Sequence, residues 1–353
     1  MSSTYIPGVT APSPARSGIL AGGNWIIDHH KIIDAWPQQD ALANILHQSW
    51  GNGGSPYNIL KDLRKLGAAY PLEAVGLVGE DADGDRILQD CRSHHVDTRQ
   101  LHRTASHPTS YSDVMTVQSV GRRTFFHQRG ANALLEPRHF DFSITATSAR
   151  IFHLGYLLLL NALDELIDGA PRAVEVLRAA RDAGLLTSVD CVSESSDRFQ
   201  SVVCPALPEI DVLFINDLEA EKITGISLRP SGLPSRDAVE KAAADLAAMG
   251  VRRWVIIHFP EAAYAVSPAG ESLWQPSLSL PQGFIKGAAG AGDAFAAGVL
   301  HGIHENRPMP ECLLLGVSAA ATSLTDPSCS AGVLTEAECL EMAGTYPLQP
   351  RPV

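Results

Sequence analysis

The 353-residue chain lacks the features of several large protein classes. Its net charge is -12 with neutral histidines, and no stretch concentrates lysine and arginine, which disfavours binding to nucleic acid. Its apolar runs are too short to span a bilayer, so we expect no membrane association. The six cysteines form no C-x-x-C pair, and their scatter is typical of reduced thiols in a cytoplasmic protein.

Two common nucleotide-binding motifs are also missing. The Walker A motif requires G-x-x-x-x-G-K-[ST], and no Gly-Lys pair followed by Ser or Thr occurs in the chain. The dinucleotide fingerprint requires G-x-G-x-x-G near the start of a βαβ unit, whereas Gly290, Gly292 and Gly298 have another spacing and lie near the C-terminus. The second absence disfavours a nicotinamide-dependent oxidoreductase.

The pattern that is present predicts one large α/β domain. Strand-like apolar runs alternate with stretches of helical spacing from residue 149 onward. One helix is predicted over 235–250, with Ser235 as its N-cap and Gly250 as its stop signal. Alternating strands and helices predict a mostly parallel central sheet with helices on both faces. The predicted strands lie in ARIFHLGYLLL, LLTSVDCV, IDVLFIN and RRWVIIHF.

The N-terminal half contains a predicted strand, a helix and a hairpin. Residues 18–28, GILAGGNWIID, predict one buried strand with a polar end. Apolar residues then recur at helical spacing, and Pro56 suits the first turn of a helix that Gly67 ends. Residues 109–127 alternate apolar and polar side chains around a Val-Gly turn, which predicts a half-exposed antiparallel hairpin.

These patterns define the expected domain organisation. We predict a single domain over residues 17–345, with β-lid segments near 28–50 and 108–130. Residues 1–16 are rich in Ser, Pro and Gly, and we expect a flexible tail there rather than a targeting segment. Residues 346–353 are expected to form a C-terminal tail.

The strongest local signal is a run of small residues before an apolar helix. Residues 287–298 read GAAGAGDAFAAG, and the predicted helix begins beside Asp293. Small residues allow close approach of the backbone to a ligand, and the first N–H groups of a helix are free to hold an anion. Asp293 is explained either as a favourable charge on the helix dipole or as a base for phosphoryl transfer. The glycines and alanines before it favour the second explanation.

Five segments in family order resemble the ribokinase-like (PfkB) carbohydrate kinases. GAGDAFAAG is similar to the C-terminal signature of that family, and GGSPYN to its N-terminal G-G-x-x-x-N. NDLE is similar to its N-E-x-E motif, with Asp217 in place of the first Glu. The other two matches are VGLVGEDADGDRI at 75–87 and FFHQRGAN at 125–132. The resemblance covers roughly residues 17–334 and implies a ribokinase-like three-layer sandwich with a small β lid.

The resemblance also implies an activity. It predicts an ATP-dependent kinase that moves the γ-phosphoryl group of Mg·ATP to a hydroxyl of a sugar or sugar-like acceptor by in-line attack. Asp293 would be the base that takes the hydroxyl proton. The backbone N–H groups of Gly290, Ala291 and Gly292 would form the anion hole.

Four further residues are implied to bind the acceptor hydroxyls, namely Asp28, Gly53, Gly54 and Asn58. Asp28 follows an apolar strand, where a carboxylate can bind two vicinal hydroxyls. A strand-end cap explains the same residue equally simply. The sequence does not identify the acceptor.

The resemblance assigns Asn216 and Glu219 to Mg²⁺ and its waters near the ATP phosphates, with Glu219 acting through water. The two residues are three apart at a predicted helix start, so both can face one site. An ordinary N-cap with an acidic first turn explains these residues almost as well.

Two segments depart from the family pattern. Gly287, Ala288 and Ala289 replace the usual D-T-x before GAGD, where the missing Asp contributes to a monovalent-cation site in the family. The ammonium of Lys286 is expected to replace the cation near the nucleotide, or else to be a solvated loop side chain. Residues 258–264, HFPEAAY, replace a glycine-rich turn, which leaves the preference for ATP over other nucleotides open.

Alternatives to a sugar kinase remain at this point. One is a nucleoside kinase of the same fold, and another is a catalytically weakened member that senses a sugar or nucleotide. Trp25 and Trp50 either stack on an acceptor or are simply buried. Val114, Val117 and Phe125 predict an apolar face on the lid, and pairing with a second copy would bury it in a homodimer.

Overall fold

The computed structural model describes residues 16–281, 283–326 and 328–352, so all but the last residue of the tail predicted over residues 1–16 lies outside the described part. The strands are β1 (Ile19–Gly23), β2 (Ile26–Ile33), β3 (Ile45–Gly53), β4 (Leu72–Gly79), β5 (Asp97–Thr104), β6 (Ser110–Val117), β7 (Arg123–Gln128), β8 (Ile151–Leu157), β9 (Leu166–Ile167), β10 (Ala170–Pro171), β11 (Leu186–Cys191), β12 (Val212–Asn216), β13 (Trp254–Phe259), β14 (Ala262–Val266) and β15 (Ser272–Pro276). The α-helices are α1 (Ser55–Leu66), α2 (Ala82–Ser93), α3 (Asn161–Asp164), α4 (Ala173–Asp182), α5 (Asp217–Thr224), α6 (Arg236–Ala248), α7 (Ala291–His304), α8 (Met309–Ser323) and α9 (Glu336–Thr345).

The main sheet has nine strands in the order β15-β14-β13-β12-β11-β8-β1-β4-β5. The strands from β13 to β5 pair in parallel, and β14 and β15 add an antiparallel edge. Successive residues of a strand enter opposite cores: Val212 belongs to the core that contains residues of α1, α7 and α8, whereas Leu213 belongs to the core that contains residues of α4 and α6. Because side chains alternate along a strand, the sheet lies between two helical layers. The predicted three-layer α/β sandwich is confirmed.

A separate four-stranded sheet, called here the small sheet, has the order β3-β2-β6-β7. Its outer strands pair antiparallel with their neighbours, and its central strands β2 and β6 run parallel. The predicted hairpin is thus present as β6 and β7. Several large apolar side chains of the small sheet and its loops are exposed, namely Trp36, Leu42, Ile45, Leu46, Trp50, Val120, Phe125 and Phe126.

The prediction of one strand over residues 18–28 is wrong. The chain forms β1 in the main sheet, leaves it at Gly23 and enters the small sheet as β2. Gly23 has a φ of 131°, and a Cβ there would lie 1.7 Å from the carbonyl oxygen of Gly155. Only glycine permits this conformation and this approach to the neighbouring strand, so the break has a local steric cause.

The other predicted elements agree more closely with the structure. Helix α1 has proline in its first turn and ends at Gly67, whose φ of 105° forms a left-handed cap. Ser235 is the N-cap of α6, although its side chain accepts no N–H there, and Gly250 follows the last turn with a φ of 118°. The four strands predicted from residue 149 onward are β8, β11, β12 and β13.

Each predicted tail contains residues that contact the domain. The Arg16 guanidinium donates to carbonyl oxygens of Thr147, Ala149 and Phe142, so this residue is held against the domain. At the other end, Leu348 bridges to Leu278, and the backbone of the 346–349 segment follows the chain after β15. Within the described ranges, no helix is both long and apolar enough to cross a membrane.

Candidate active site

Two cavities meet at the N-terminus of α7, at the carboxyl ends of the central strands. The outer cavity measures about 710 Å³ and lies between the β13–β14 hairpin, α8 and the start of α7. The inner cavity measures about 440 Å³ and lies between the small sheet and the ends of β8, β11 and β12. Their shared lining residues are Ser193, Asn216, His258 and Gly292. Ligands of open parallel sheets bind at this edge, so the two cavities form one candidate site.

The carboxylate of Asp293 lies in the first turn of α7 and lines the inner cavity. Its side chain is almost completely buried, with the residue 5% exposed. Asn58 Nδ2 donates to Asp293 Oδ2 at 2.7 Å, and the Tyr156 hydroxyl is 2.8 Å from each of its oxygens. Ser330 Oγ donates to Asn58 Oδ1 at 3.3 Å, which fixes the orientation of the amide.

Burial raises the pKa of Asp293 to about 7, and the negative charge of Asp190 adds to this effect. The hydrogen bonds from Asn58 and Tyr156 favour the ionised form and act in the opposite direction. A carboxylate that titrates near neutral pH can accept a proton from a hydroxyl and release it again. The environment of Asp293 therefore suits a general base.

The N-terminus of α7 has backbone donors without backbone partners. Gly290 is its N-cap with a φ of 76°, and no side chain caps the helix. The N–H groups of Gly292 and Asp293 donate to no backbone oxygen of the described chain, and Ala291 N is 3.5 Å from Ala288 O. A Cβ at Gly290 would lie 2.3 Å from Cys329 O, so the loop closes tightly here. Free N–H groups and the helix dipole make this terminus suitable for an anion.

The predicted acceptor-binding residues gather at the inner cavity. Asp28, Gly54 and Asn58 line it together with Asp293. Burial raises the pKa of Asp28 to about 6, against a hydrogen bond from Ser112 that lowers it.

The two glycines at the end of β3 make room for this arrangement. A Cβ at Gly53 would lie 2.1 Å from Asp28 Oδ2, and one at Gly54 would lie 2.0 Å from the carbonyl oxygen of Asn24. Gly53 therefore borders the Asp28 carboxylate without lining the cavity itself.

Asn216 and Glu219 form a reciprocal cap on α5. Asn216 Oδ1 accepts from the backbone N–H of Glu219 at 2.9 Å, and Glu219 Oε2 accepts from that of Asn216 at 2.9 Å. Ser193 Oγ also donates to Glu219 Oε1 at 2.7 Å. The N-cap that the local sequence predicts is therefore present. Both residues also line the inner cavity. Burial raises the pKa of Glu219 to about 8.

The residues of the site fit a hydrated Mg²⁺ ion better than a protein-caged one. The inner cavity is lined by four carboxyl side chains and by no lysine or arginine, the acids being Asp28, Asp190, Glu219 and Asp293. No cluster of three or more His, Cys, Asp or Glu side chains that could hold a metal is found in the described ranges. Mg²⁺ commonly keeps several waters and binds one or two carboxylates plus substrate phosphates. The oxygen donors here match that mode.

Three other predicted residues lie outside the cavities. Lys286 is exposed in the loop before α7 and lines neither cavity, so its role toward the nucleotide stays a prediction. Trp25 is buried and donates to Val75 O at 3.0 Å. Trp50 is 55% exposed and stacks on the Arg86 guanidinium. Neither tryptophan lines the inner cavity, so neither is placed to stack on an acceptor there.

Sequence reasoning missed a buried cluster of polar side chains, Ser55, His153 and Asp190, of which Asp190 lines the inner cavity. Ser55 Oγ donates to Asp190 Oδ2 at 2.7 Å and is 3.0 Å from His153 Nε2. His153 Nε2 is in turn 3.5 Å from Asp190 Oδ1. Asp190 lies within β11 near its carboxyl end, and an acid at the end of a predicted strand is the same signal that identified Asp28. For Tyr156, which contacts the candidate base, the sequence gives no comparable signal.

His258, which belongs to the segment that departs from the family pattern, lies at the junction of the cavities. Its half-buried ring lines both of them, and a Cβ at Gly292 would lie 3.2 Å from the ring. Burial lowers the pKa of His258 to about 4, so the ring is neutral at neutral pH. A neutral imidazole brings one donor and one acceptor to this junction and no charge.

Comparisons with known proteins agree with this architecture. A ribokinase from Arabidopsis thaliana is 25% identical over 288 residues, which cover 80% of this chain and 65% of that protein. An ATP-dependent ribose-1-phosphate kinase from Halopiger xanaduensis is 26% identical over 282 residues, covering 80% of this chain and 83% of that protein.

Solved structures show the same fold, including that of Arabidopsis thaliana ribokinase complexed with ribose and ATP. It has a TM-score of 0.74 at 20% sequence identity and covers 93% of this chain and 98% of that one. The family model described as pfkB family carbohydrate kinase matches residues 24–336, and this chain therefore belongs to that family.

Proposed function

We propose that this protein transfers the γ-phosphoryl group of Mg·ATP to a hydroxyl of a sugar or sugar-like acceptor. The observation that carries the proposal is the position of Asp293. Its buried carboxylate lines the inner cavity next to Gly292, which lines both cavities, and beside helix N–H groups that have no backbone partner. Phosphoryl transfer requires a proton acceptor for the nucleophile and donors for the phosphoryl oxygens in one place.

The proposed reaction is a single in-line displacement without a phosphoenzyme. The acceptor oxygen attacks the γ-phosphorus, its proton passes to Asp293, and the bond to the β–γ bridging oxygen breaks to release ADP. The N–H groups at Gly290, Ala291 and Gly292 stabilise charge on the transferring group. Mg²⁺, when bound, neutralises charge on the ATP phosphates. Asn216 and Glu219 are the residues that would hold it through water.

The outer cavity is proposed to hold the nucleotide. Apolar side chains such as Leu218, Ile285 and Val317 line it and suit the faces of a base. Pro260, also in its lining, offers no backbone N–H, so the base edge must be recognised by other groups. The relative from Arabidopsis thaliana has been solved with ATP, which supports ATP as the first donor to test.

The inner cavity is proposed to hold a neutral, hydroxyl-rich acceptor. Four carboxyl groups line it, whereas Lys31 and Arg123 of the small sheet and Arg122 of its β6–β7 turn do not. Two like charges about 5 Å apart repel by roughly 3 kcal/mol at an effective dielectric constant near 20. Sugar acids and sugar phosphates are therefore expected to react more slowly than neutral sugars of the same shape. By its name, the Halopiger xanaduensis relative acts instead on a phosphorylated sugar.

A homodimer through the small sheet is proposed with a revised set of contact residues. Of the three predicted apolar residues, Val114 is buried, Val117 is half-buried and only Phe125 is exposed, at 60%. Trp36 stacks on Phe126 beside it, with ring centroids 6.0 Å apart. An apolar surface of this kind is typical of an interface between copies. Light scattering should report a dimer for the unmutated protein and a monomer for Phe126→Glu.

The test of the function is ADP release with Mg·ATP and a panel of sugars, sugar acids, polyols and nucleosides. Acceptor-dependent release that Asp293→Asn abolishes would support the proposal and identify the acceptor class. Turnover confined to nucleosides would favour the nucleoside-kinase alternative. Binding of a panel member without turnover by the unmutated protein would contradict catalysis and favour a sensor.

A further inference from the structure

The hydroxyl of Tyr156 occupies the candidate base in this structure. It is 2.8 Å from Oδ1 and 2.8 Å from Oδ2 of Asp293, so one hydroxyl proton is shared between both carboxylate oxygens. Burial raises the pKa of Tyr156 well above its usual range, and the charge of Asp293 is the second largest cause. The phenol therefore stays protonated, and it donates to Asp293 whenever that carboxyl group is ionised.

These contacts leave the carboxylate little free capacity. A carboxylate offers about four lone-pair sites on its two oxygens. The Tyr156 hydroxyl bridges both oxygens, and Asn58 Nδ2 occupies a further site on Oδ2. A general base must lie within hydrogen-bond reach of the proton that it removes. Because these contacts leave only about one site, an acceptor hydroxyl that donates to Asp293 competes with the bridging hydroxyl of Tyr156.

The backbone of Tyr156 is fixed, whereas its ring has space to move. The residue lies in β8, and its N–H donates to Asn24 Oδ1 at 2.9 Å. Its side chain lines the inner cavity, which provides about 440 Å³ beside it. Displacing the hydroxyl from Asp293 thus requires a rotation of the side chain and no change in the sheet.

We propose that Tyr156 is a gate residue whose hydroxyl holds the place of the acceptor hydroxyl on Asp293 until an acceptor displaces it. This inference rests on the proposed kinase function. An acceptor with several hydroxyls fills the inner cavity and gains contacts with Asp28 and its neighbours, which offset the lost hydrogen bond. A single water molecule gains only the bond that it replaces. Tyr156 thereby restricts the base to polyhydroxylated acceptors.

The reaction that the gate suppresses is hydrolysis of ATP. In that reaction, water attacks the γ-phosphorus and gives its proton to Asp293. The bond to the β–γ bridging oxygen then breaks, and the products are ADP and inorganic phosphate. Exclusion of water from the reacting group is a general requirement of kinases.

The test is ADP release from Mg·ATP without any acceptor, measured at about pH 8.5, above the pKa of Asp293 of about 7. The full-length unmutated protein is compared with Tyr156→Phe, which keeps the ring and removes the hydroxyl. Release is expected to rise about tenfold or more, because a positioned general base contributes roughly 10²–10⁴ to a rate. Once an acceptor is known, its KM should fall in Tyr156→Phe while kcat changes less.

The matched control is Tyr70→Phe, which removes a buried hydroxyl that contacts His301 Nδ1 at 2.8 Å, near the other end of α7. That variant should release ADP at the unmutated rate. The double variant Tyr156→Phe with Asp293→Asn should lose the added release, which would tie it to the base. Tyr156→Leu also removes the hydroxyl and replaces Tyr156→Phe in the test if the phenylalanine variant folds poorly.

Two results would overturn the inference. Unchanged acceptor-free ADP release in both Tyr156 variants, with normal acceptor-dependent turnover, would remove the gate and leave the kinase function standing. Absence of ATP-dependent turnover by the unmutated protein with every acceptor would remove the proposed function and the gate with it.

Discussion

Helices α5 and α7 place an acid at the same position with opposite results. Helix α5 follows β12 directly and α7 follows a loop, and each has a buried carboxyl group three residues after its N-cap. Glu219 follows Asn216 in α5, and Asp293 follows Gly290 in α7. The N-cap side chain of α5 accepts an N–H from its own helix, whereas the N-cap glycine of α7 has no side chain to do so.

The difference shows which carboxylate is available for chemistry. Glu219 Oε2 accepts the N–H of Asn216, and the N–H of Glu219 donates to Asn216 Oδ1, so Glu219 takes part in capping its own helix. Asp293 accepts only from side chains distant in sequence, Asn58 and Tyr156, and the N–H groups of Gly292 and Asp293 donate to no backbone oxygen of the described chain. A buried carboxylate that does not cap its own helix can act on a ligand.

The largest expected effect comes from neutralising each acid in turn. Asp293→Asn should lower kcat by about 10²–10⁴ while both ligands still bind, because only the proton acceptor is removed. Glu219→Gln should keep much more activity, since an amide oxygen can still accept the N–H of Asn216. Acceptor-dependent ADP release measures both. A larger loss of kcat in Glu219→Gln than in Asp293→Asn would reverse the assignment of the base.

The next effect is the dependence of activity on pH. The base must be ionised, and its pKa is about 7, so kcat/KM should rise with pH through about 7 and fall about tenfold per unit below it. The nearby acids Asp190 and Asp28 contribute to this raised pKa. Asp62 also interacts with Asp293. Burial raises the pKa of Asp62 well above its usual range, and the charge of Asp293 is the second largest cause.

The pH profile can separate the two acids of the comparison. Burial raises the pKa of Glu219 to about 8, and Mg²⁺ binds the ionised form, so a second rise near pH 8 is expected at low Mg²⁺. Glu219→Gln should remove that second rise and keep the first. A profile that is flat between about pH 6 and pH 9 would contradict both titrations.

The smallest predicted effect concerns the glycines at the ends of the two helices. Gly290 begins α7 with a φ of 76°, and Gly225 ends α5 with a φ of 73°. Alanine at Gly225 meets no atom within 4 Å, so it should cost about 1–2 kcal/mol of unfolding free energy from the left-handed conformation alone. Alanine at Gly290 should cost more, because its Cβ would lie 2.3 Å from Cys329 O. Equal denaturation midpoints for the two variants would contradict this contrast.

The sequence predicted the elements that depend on local chemistry. The Pro56 and Gly67 boundaries of α1, the strands β8, β11, β12 and β13 and the position of Asp293 at a helix start each follow from residues close in sequence. The capping box on α5 was also visible as an Asn three residues before a Glu.

Features that depend on contacts between distant segments could not be predicted. Tyr156 and Asp293 are 137 residues apart, and no local pattern indicates that the phenol meets the carboxylate. The break at Gly23 depends on the approach of Gly155 from another strand. The sequence predicts that Trp50 is either buried or stacked on a ligand. Trp50 is instead exposed, because it lies on an exposed face of the small sheet.

The most direct test of the contrast between the two helices is the response of their backbone amides to a phosphoryl-transfer analogue. Amide proton signals would be recorded by NMR with and without ADP, Mg²⁺ and aluminium fluoride. The N–H groups of Gly292 and Asp293 should shift strongly downfield as they bond to the analogue, while that of Glu219, already bonded to Asn216, should change little. Unchanged signals at Gly292 and Asp293, with large shifts at the start of α5, would contradict the account.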